Sequence, residues 1–145
     1  MLEAPDIWAI ENLIAEYAEL VDTGDFAGLG EMFADGSFTG GGDTRFSGRE
    51  AVEEMLRNSV IVYDDGTPRT QHVATNFIIG AGEREGTATA RSYVTIFQAV
   101  PGLPLQPIAA GRYRDRFECR DGRWRFAERR ADIHLIGDVS RHLRP

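Results

Sequence analysis

At residue 68 the hydrophobic rhythm of this chain changes. Before it, apolar residues recur every three or four positions, the spacing of one helix face. After it, β-branched and aromatic residues run in long stretches broken only by turn formers. Helices followed by a meander of long antiparallel strands imply an α+β fold in which the sheet must curl around the N-terminal helices so that both bury their apolar faces. At 145 residues, one domain spanning 1–145 is expected, and no internal repeat is present.

The first helix carries Ile10, Leu13, Ile14, Tyr17, Ala18 and Val21 on one face, with Glu11, Glu16 and Glu19 mostly opposite. Asp6 is expected to cap it. Gly24 suits its C-terminal end, and Asp25 suits the cap of a short second helix through Phe33. Gly40 to Gly42 read as a flexible turn, and no Lys-Ser/Thr follows them, so no nucleotide role is assigned. Residues 48–56 read as a third helix. Thr70 to Ile79 and Thr87 to Ala99 form a hairpin. Ala109 to Cys119 and Arg123 to Ile133 form a second one around Asp121-Gly122. The segment Pro101 to Pro107 reads as a long loop over the sheet edge, and the tail from Gly137 to Pro145 is polar and weakly patterned.

Within the first of those strands stands His72, one of three histidines. An imidazole among strand formers must satisfy its ring nitrogens or cost a few kcal/mol. The best partner is Asp22, fifty residues upstream at the end of the first helix. Such a pair can serve elimination next to a carbonyl. Histidine, with an ordinary pKa of about 6.5, is a suitable base for a carbon-bound proton, and a carboxylate fixes its tautomer and steadies the imidazolium. Tyr17 could donate a phenol proton and Arg129 could hold enolate charge. Each also has a plain structural reading: His72 as a satisfied core histidine, Asp22 as a helix end, Tyr17 as a core aromatic. Arg129 could be purely structural if paired with Asp115 or Asp132, and a bulge could turn Arg130 inward instead.

The net charge of −7 and pI near 4.9 argue against nucleic acid or anionic membrane as partner. The basic cluster from Arg112 to Arg130 alternates along strands and reads as one solvated or interface face. A single cysteine, Cys119, rules out an intrachain disulfide. Met1 to Asp6 lacks the pattern of a signal peptide and no apolar run approaches 18 residues, so a soluble, cytoplasmic protein is expected. The histidines show no metal-ligand spacing, and no cofactor or metal is expected.

Three separated strings resemble one known group: Val21-Asp22-Thr23-Gly24-Asp25, Arg69-Thr70-Gln71-His72, and Asp121-Gly122-Arg123-Trp124-Arg125-Phe126. They are similar to the SnoaL-like branch of the nuclear-transport-factor-2-like superfamily, over nearly the whole chain. The resemblance implies a cone-shaped α+β barrel, its N-terminal helices packed in a strongly curved, mostly antiparallel sheet around a deep apolar pocket, commonly dimeric through the outer sheet face. Within the branch, the pattern looks like cofactorless lyases: scytalone dehydratase, a dehydrochlorinase of chlorinated cyclohexanes and the bile-acid dehydratases. These share an Asp-His dyad that falls on Asp22 and His72. In the bile-acid enzyme a tyrosine five residues before the aspartate matches Tyr17, and in the dehydrochlorinase an arginine seven residues after the Asp-Gly turn glycine matches Arg129. Where scytalone dehydratase has a second histidine this chain aligns Phe97, and where it has a pocket asparagine, Tyr113. Phe97, Tyr113, Asn76 and Ile133 are expected to line the substrate pocket. The function implied is a cofactor-independent dehydratase-type lyase or isomerase acting on a hydrophobic, ring-containing molecule such as a steroid or polyketide. The alternative is a small-molecule-binding domain or an accessory oxygenase-type subunit.

Overall fold

The computed structural model describes residues 1–145. Three helices, α1 (Ala4–Asp22), α2 (Phe26–Met32) and α3 (Arg49–Ser59), pack on a six-stranded sheet. Its strands are β1 (Ser37–Thr39), β2 (Arg45–Ser47), β3 (Thr70–Ala81), β4 (Thr87–Val100), β5 (Leu103–Arg120) and β6 (Arg123–Ile136). They lie in the order β2-β1-β6-β5-β4-β3, antiparallel except for β1 beside β6. The sheet does not close, and β2 and β3 are its edges. It does curl, because α1 rests on both β3 and β6, which two strands separate. This is the α+β arrangement that the change of period requires.

Alternation along β4 and β5 sorts the two faces. Ala88, Ala90, Ser92, Val94 and Ile96 are buried against the helices, as are Gly111, Tyr113, Asp115 and Phe117, while Arg112, Arg114 and Arg116 stand outside. The buried aromatic cluster stacks Phe33 on Phe126 at 5.1 Å and sets Tyr17 edge-on to Tyr113 at 5.8 Å. Such pairs prefer these offset and edge-to-face geometries.

Two local expectations are corrected. Asp6 does not cap α1: Glu3 is the cap residue, and Asp6 reaches back three residues to accept from the Glu3 backbone N–H at 2.9 Å in a capping box. Pro101 to Pro107 is not a long loop. Pro101-Gly102 make a tight turn with Gly102 at φ +86°, and β5 starts at once at Leu103. The prolines are tolerated because residues before Ala109 have β4 on one side only and Pro107 sits at a register shift, where a missing N–H breaks no ladder bond. Asp25 caps α2 as expected, accepting from Gly28 N at 2.8 Å.

Candidate active site

The end of α1 and the start of β3 meet at the aspartate and histidine. Gly24, at φ +77°, lets the chain leave α1 so tightly that an added Cβ would sit 2.1 Å from the Gly66 carbonyl oxygen. That close approach draws the segment leading into β3 against the helix end. Asp22 then spends both carboxylate oxygens on β3. Oδ1 lies 2.6 Å from His72 Nδ1 and accepts from the Thr70 hydroxyl at 2.8 Å; Oδ2 accepts from the His72 backbone N–H at 2.7 Å. An ionised carboxylate at 2.6 Å makes Nδ1–H the donor. The imidazole is therefore held at both its ring and its backbone, with Nε2 making no hydrogen bond to the protein and not sealed from solvent. The His72 side chain is only 8 % exposed.

An open cleft of about 410 Å³ runs along this pair, between Ile14, Ala18 and Asp22 of α1 and His72, Ala74 and Phe77 of β3. Its walls are mostly apolar. A larger hollow of about 520 Å³ lies on the other side of α1, among Glu16, Asp35, Arg49 and Arg125, and includes neither member of the pair.

Arg129, not Arg130, turns inward. Its side chain is fully buried and forms a two-pronged pair with the equally buried Asp115, at 2.8 and 2.9 Å. Its guanidinium lies 3.6 Å from the ring centre of Tyr113 and 4.3 Å from that of Tyr17. Burial alone would lower its pKa, but the Asp115 charge and hydrogen bonds outweigh that and hold it above the ordinary arginine value. Its charge is thus answered within the protein, although Nη1 is sealed without a partner. Arg130 is exposed and pairs with Asp43. Burial raises the Tyr17 phenol above its usual pKa, and raises Tyr113 further, so both remain protonated at neutral pH.

The other expected pocket residues scatter. Tyr113 is buried beneath Arg129. Asn76 occupies an irregularity of β3 between Thr75 and Ile78, at φ +59°, and lines an outer cleft of about 460 Å³ that also reaches Tyr113. Ile133 is half-buried against the core. Phe97 falls on the outward-facing positions of β4, between the buried Ile96 and Gln98 and opposite the exposed Gln71, so the alternation turns it away from His72.

His142 was not among the expected site residues. It comes from the polar tail, yet it is 5 % exposed and its ring centre lies 6.1 Å from that of His72, edge-on. The tail is fastened by its own main chain. His142 O accepts from Ile61 N at 2.8 Å, Arg144 N donates to Ser59 O at 2.9 Å, and the Arg141 carbonyl accepts from Gln98 Nε2 at 2.9 Å and from the Tyr63 hydroxyl. His72 is therefore not alone as the histidine of this site. No local pattern flags His142; the bonds that place it reach back 43 or more residues. No group of three or more His, Cys, Asp or Glu side chains is placed to hold a metal ion.

With that geometry in hand, residues 2–130 match the SnoaL-like domain family. The chain is a SnoaL-like domain. It belongs to the nuclear-transport-factor-2-like superfamily, and no curated protein matches it significantly. Among solved structures, this SnoaL-like domain is similar to a protein of unknown function from Mycobacterium tuberculosis, at 27 % identity and TM-score 0.73, covering 92 % of this chain and 75 % of that one. Two structures from Novosphingobium aromaticivorans share its fold. A candidate aromatic ring hydroxylase does so at 23 % identity and TM-score 0.76, covering 97 % and 99 %. A candidate scytalone dehydratase does so at 21 % identity and TM-score 0.70, covering 93 % of each chain. No helix is long and apolar enough to cross a membrane.

Proposed function

We propose that this SnoaL-like domain is a cofactor-independent lyase that catalyses dehydratase-type elimination on a hydrophobic, ring-containing small molecule. The observation that carries the reading is the 2.6 Å contact between Asp22 Oδ1 and His72 Nδ1, with Nε2 left free beside a mostly apolar cleft. That arrangement suits a general base. Nε2 removes the proton next to a substrate carbonyl, and the electron pair of the broken C–H bond forms an enolate. Collapse of the enolate forms the C=C bond and expels the β-hydroxyl, which leaves as water with the proton returned by the imidazolium. Asp22 stabilises the imidazolium and fixes the tautomer throughout. A similar fold described as a candidate scytalone dehydratase agrees with this chemistry. Returning the proton to another carbon of the enolate would make the same site an isomerase.

The interior supports one competing reading. Tyr17, Phe33, Tyr113, Phe126 and the Arg129–Asp115 pair pack the space between helices and sheet, and a filled interior suits a small-molecule-binding domain or an accessory oxygenase-type subunit without chemistry of its own. The test is a screen of β-hydroxy ketones with steroid- and polyketide-like rings against the wild type and His72→Ala. Turnover that vanishes with His72 supports the lyase. A protein that binds such compounds but converts none, at any pH from 5 to 9, favours the binding domain.

A further inference from the structure

His142 has no place in the dyad, yet it is buried beside it and delivered by a tail whose hydrogen bonds to the body of the protein use its own main-chain groups. Its Nδ1 is sealed without a hydrogen-bond partner. A buried N–H left without an acceptor is rarer in folded proteins than an acceptor left without a donor. The lone pair therefore belongs on Nδ1 and the hydrogen on Nε2, the ring nitrogen that is not sealed. An imidazole nitrogen reaches about 3 Å to a hydrogen-bond partner. Two rings centred 6.1 Å apart are close enough to address one small molecule that enters between them, although His142 does not itself line the cleft beside His72.

From this geometry we infer that His142 is a second catalytic imidazole, a neutral N–H donor that holds the substrate carbonyl oxygen while His72 removes the adjacent proton. The inference deepens the reading of Asp22 and His72 as the reacting pair and rests on it. As the C–H bond breaks to His72 Nε2, negative charge collects on the carbonyl oxygen, and the Nε2–H of His142 stabilises it without giving up its proton. That hydrogen is still on His142 when the enolate collapses and water leaves, so the ring ends the cycle as it began.

The surroundings suit a neutral ring. The titratable groups facing it are His72 and Asp22 at the dyad; Tyr63, from the segment after α3, donates its hydroxyl to the Arg141 carbonyl, and the Arg141 guanidinium turns away to Asp138 at 3.2 Å. Burial, then the neighbouring His72, lowers the His142 pKa to about 4, with Asp22 opposing. A buried imidazole that stays neutral polarises a carbonyl by hydrogen bonding and not by donating its proton.

The test uses 4-nitrophenol, whose phenolate imitates an enolate oxygen on a ring. Long-range 1H–15N correlation on the full-length protein reads the tautomer of each histidine, and absorbance titration reads the affinity for the probe. The expected result is an Nε2–H tautomer at His142 and a shift of its Nε2 signal on adding the probe. Affinity should fall by about 10- to 100-fold in His142→Phe and recover in part in His142→Gln, which keeps an N–H donor. His142→Gln also guards against a tail that loosens in the phenylalanine variant. An Nδ1–H tautomer overturns the inference, whatever the probe does. A probe that shifts His72 but leaves His142 unmoved, with His142→Phe binding as tightly as wild type, overturns it and leaves the dyad standing. A probe that shifts neither histidine overturns both. A probe that shifts His142 while His72 stays silent supports His142 as an oxygen-binding group and counts against His72 as the base.

Discussion

Asp22 grips His72 twice, through the ring at 2.6 Å and through the backbone N–H at 2.7 Å. The carboxylate therefore does two jobs: it orients an imidazole and it pins the start of an edge strand to the end of a helix. Catalytic and structural consequences of changing it should separate accordingly.

Asp22→Asn retains one acceptor oxygen for β3 and loses the charge. Its amide can present N–H to the ring and favour the wrong tautomer, so turnover should fall by roughly 10² to 10⁴ with the fold intact. Asp22→Ala removes both acceptors and should also cost about 1–3 kcal/mol by orphaning the His72 and Thr70 donors. Steady-state kinetics beside urea denaturation distinguish the two. An alanine variant as stable as wild type would mean that the pinning bonds carry no net stability.

His72→Ala should lower turnover by a similar roughly 10² to 10⁴. Tyr17→Phe should cost less, since the ring still packs against Phe33 and Tyr113. Equal losses for both variants in the same assay would argue that the phenol, too, takes part in proton transfer.

The Arg129–Asp115 pair predicts a different pattern. Asp115→Ala leaves a fully buried guanidinium without its counter-charge and should destabilise by about 3–5 kcal/mol. Replacing both partners together with Leu and Met should recover most of that, because the rings of Tyr17, Tyr113 and Phe126 already form an apolar box. Denaturant midpoints of the two variants check it. A double variant no more stable than Asp115→Ala would indicate that the pair fixes the core packing itself.

The pH dependence of stability follows from His142. Its folded pKa of about 4 lies below the ordinary 6.5, so between those values the unfolded chain binds the extra proton. Stability from this group is complete above about pH 6.5 and drains as pH falls toward 4. At about 1.4 kcal/mol per pKa unit the loss is on the order of 3 kcal/mol. His142→Phe should show a correspondingly flatter decline in urea midpoint between pH 7 and 4.5, the carboxylates being common to both proteins. Parallel curves for the two would contradict it.

Assembly is predicted from the outer face. Arg91, Arg114 and Arg130 lie directly across from one another on β4, β5 and β6, and like charges in such cross-strand positions repel. Tyr93, Leu105 and Leu135 are exposed. A second copy covering this face through a two-fold axis would hide the apolar groups and bring carboxylates to the arginines. Light scattering should give a dimer that Arg114→Glu weakens; a monomer at every accessible concentration would rule this out.

Much of this fold was legible because local pattern and global need agree. The helical spacing of Ile10, Ile14, Tyr17 and Val21 is the buried face of α1, and the alternation around Tyr113 is the pleat of β5. Legibility failed where a long-range partner decides. Pro104 and Pro107 read as loop because the sequence does not reveal that β6 stops short of them. The parallel pairing of β1 with β6 joins residues about ninety apart and has no local trace. At the site, matched positions led to Asp22 and His72, and the structure brings them into contact. Position along the chain matches Phe97 to a pocket residue, whereas the pleat decides which face it shares. His142 has no signature in the sequence because its placement depends on what Ser59, Ile61, Tyr63 and Gln98 do with the tail's carbonyls and amides.

The tail's hydrogen bonds to the body of the protein use atoms that every residue type possesses, so those bonds can form whichever side chain position 142 carries. Position 142 is thus a socket in a fixed mount: exchanging the fitting changes what faces His72 without reworking the mount. A lineage, or a designer, wishing to retune which molecule this site accepts has there a single position to vary, with the main-chain bonds on either side of it left intact.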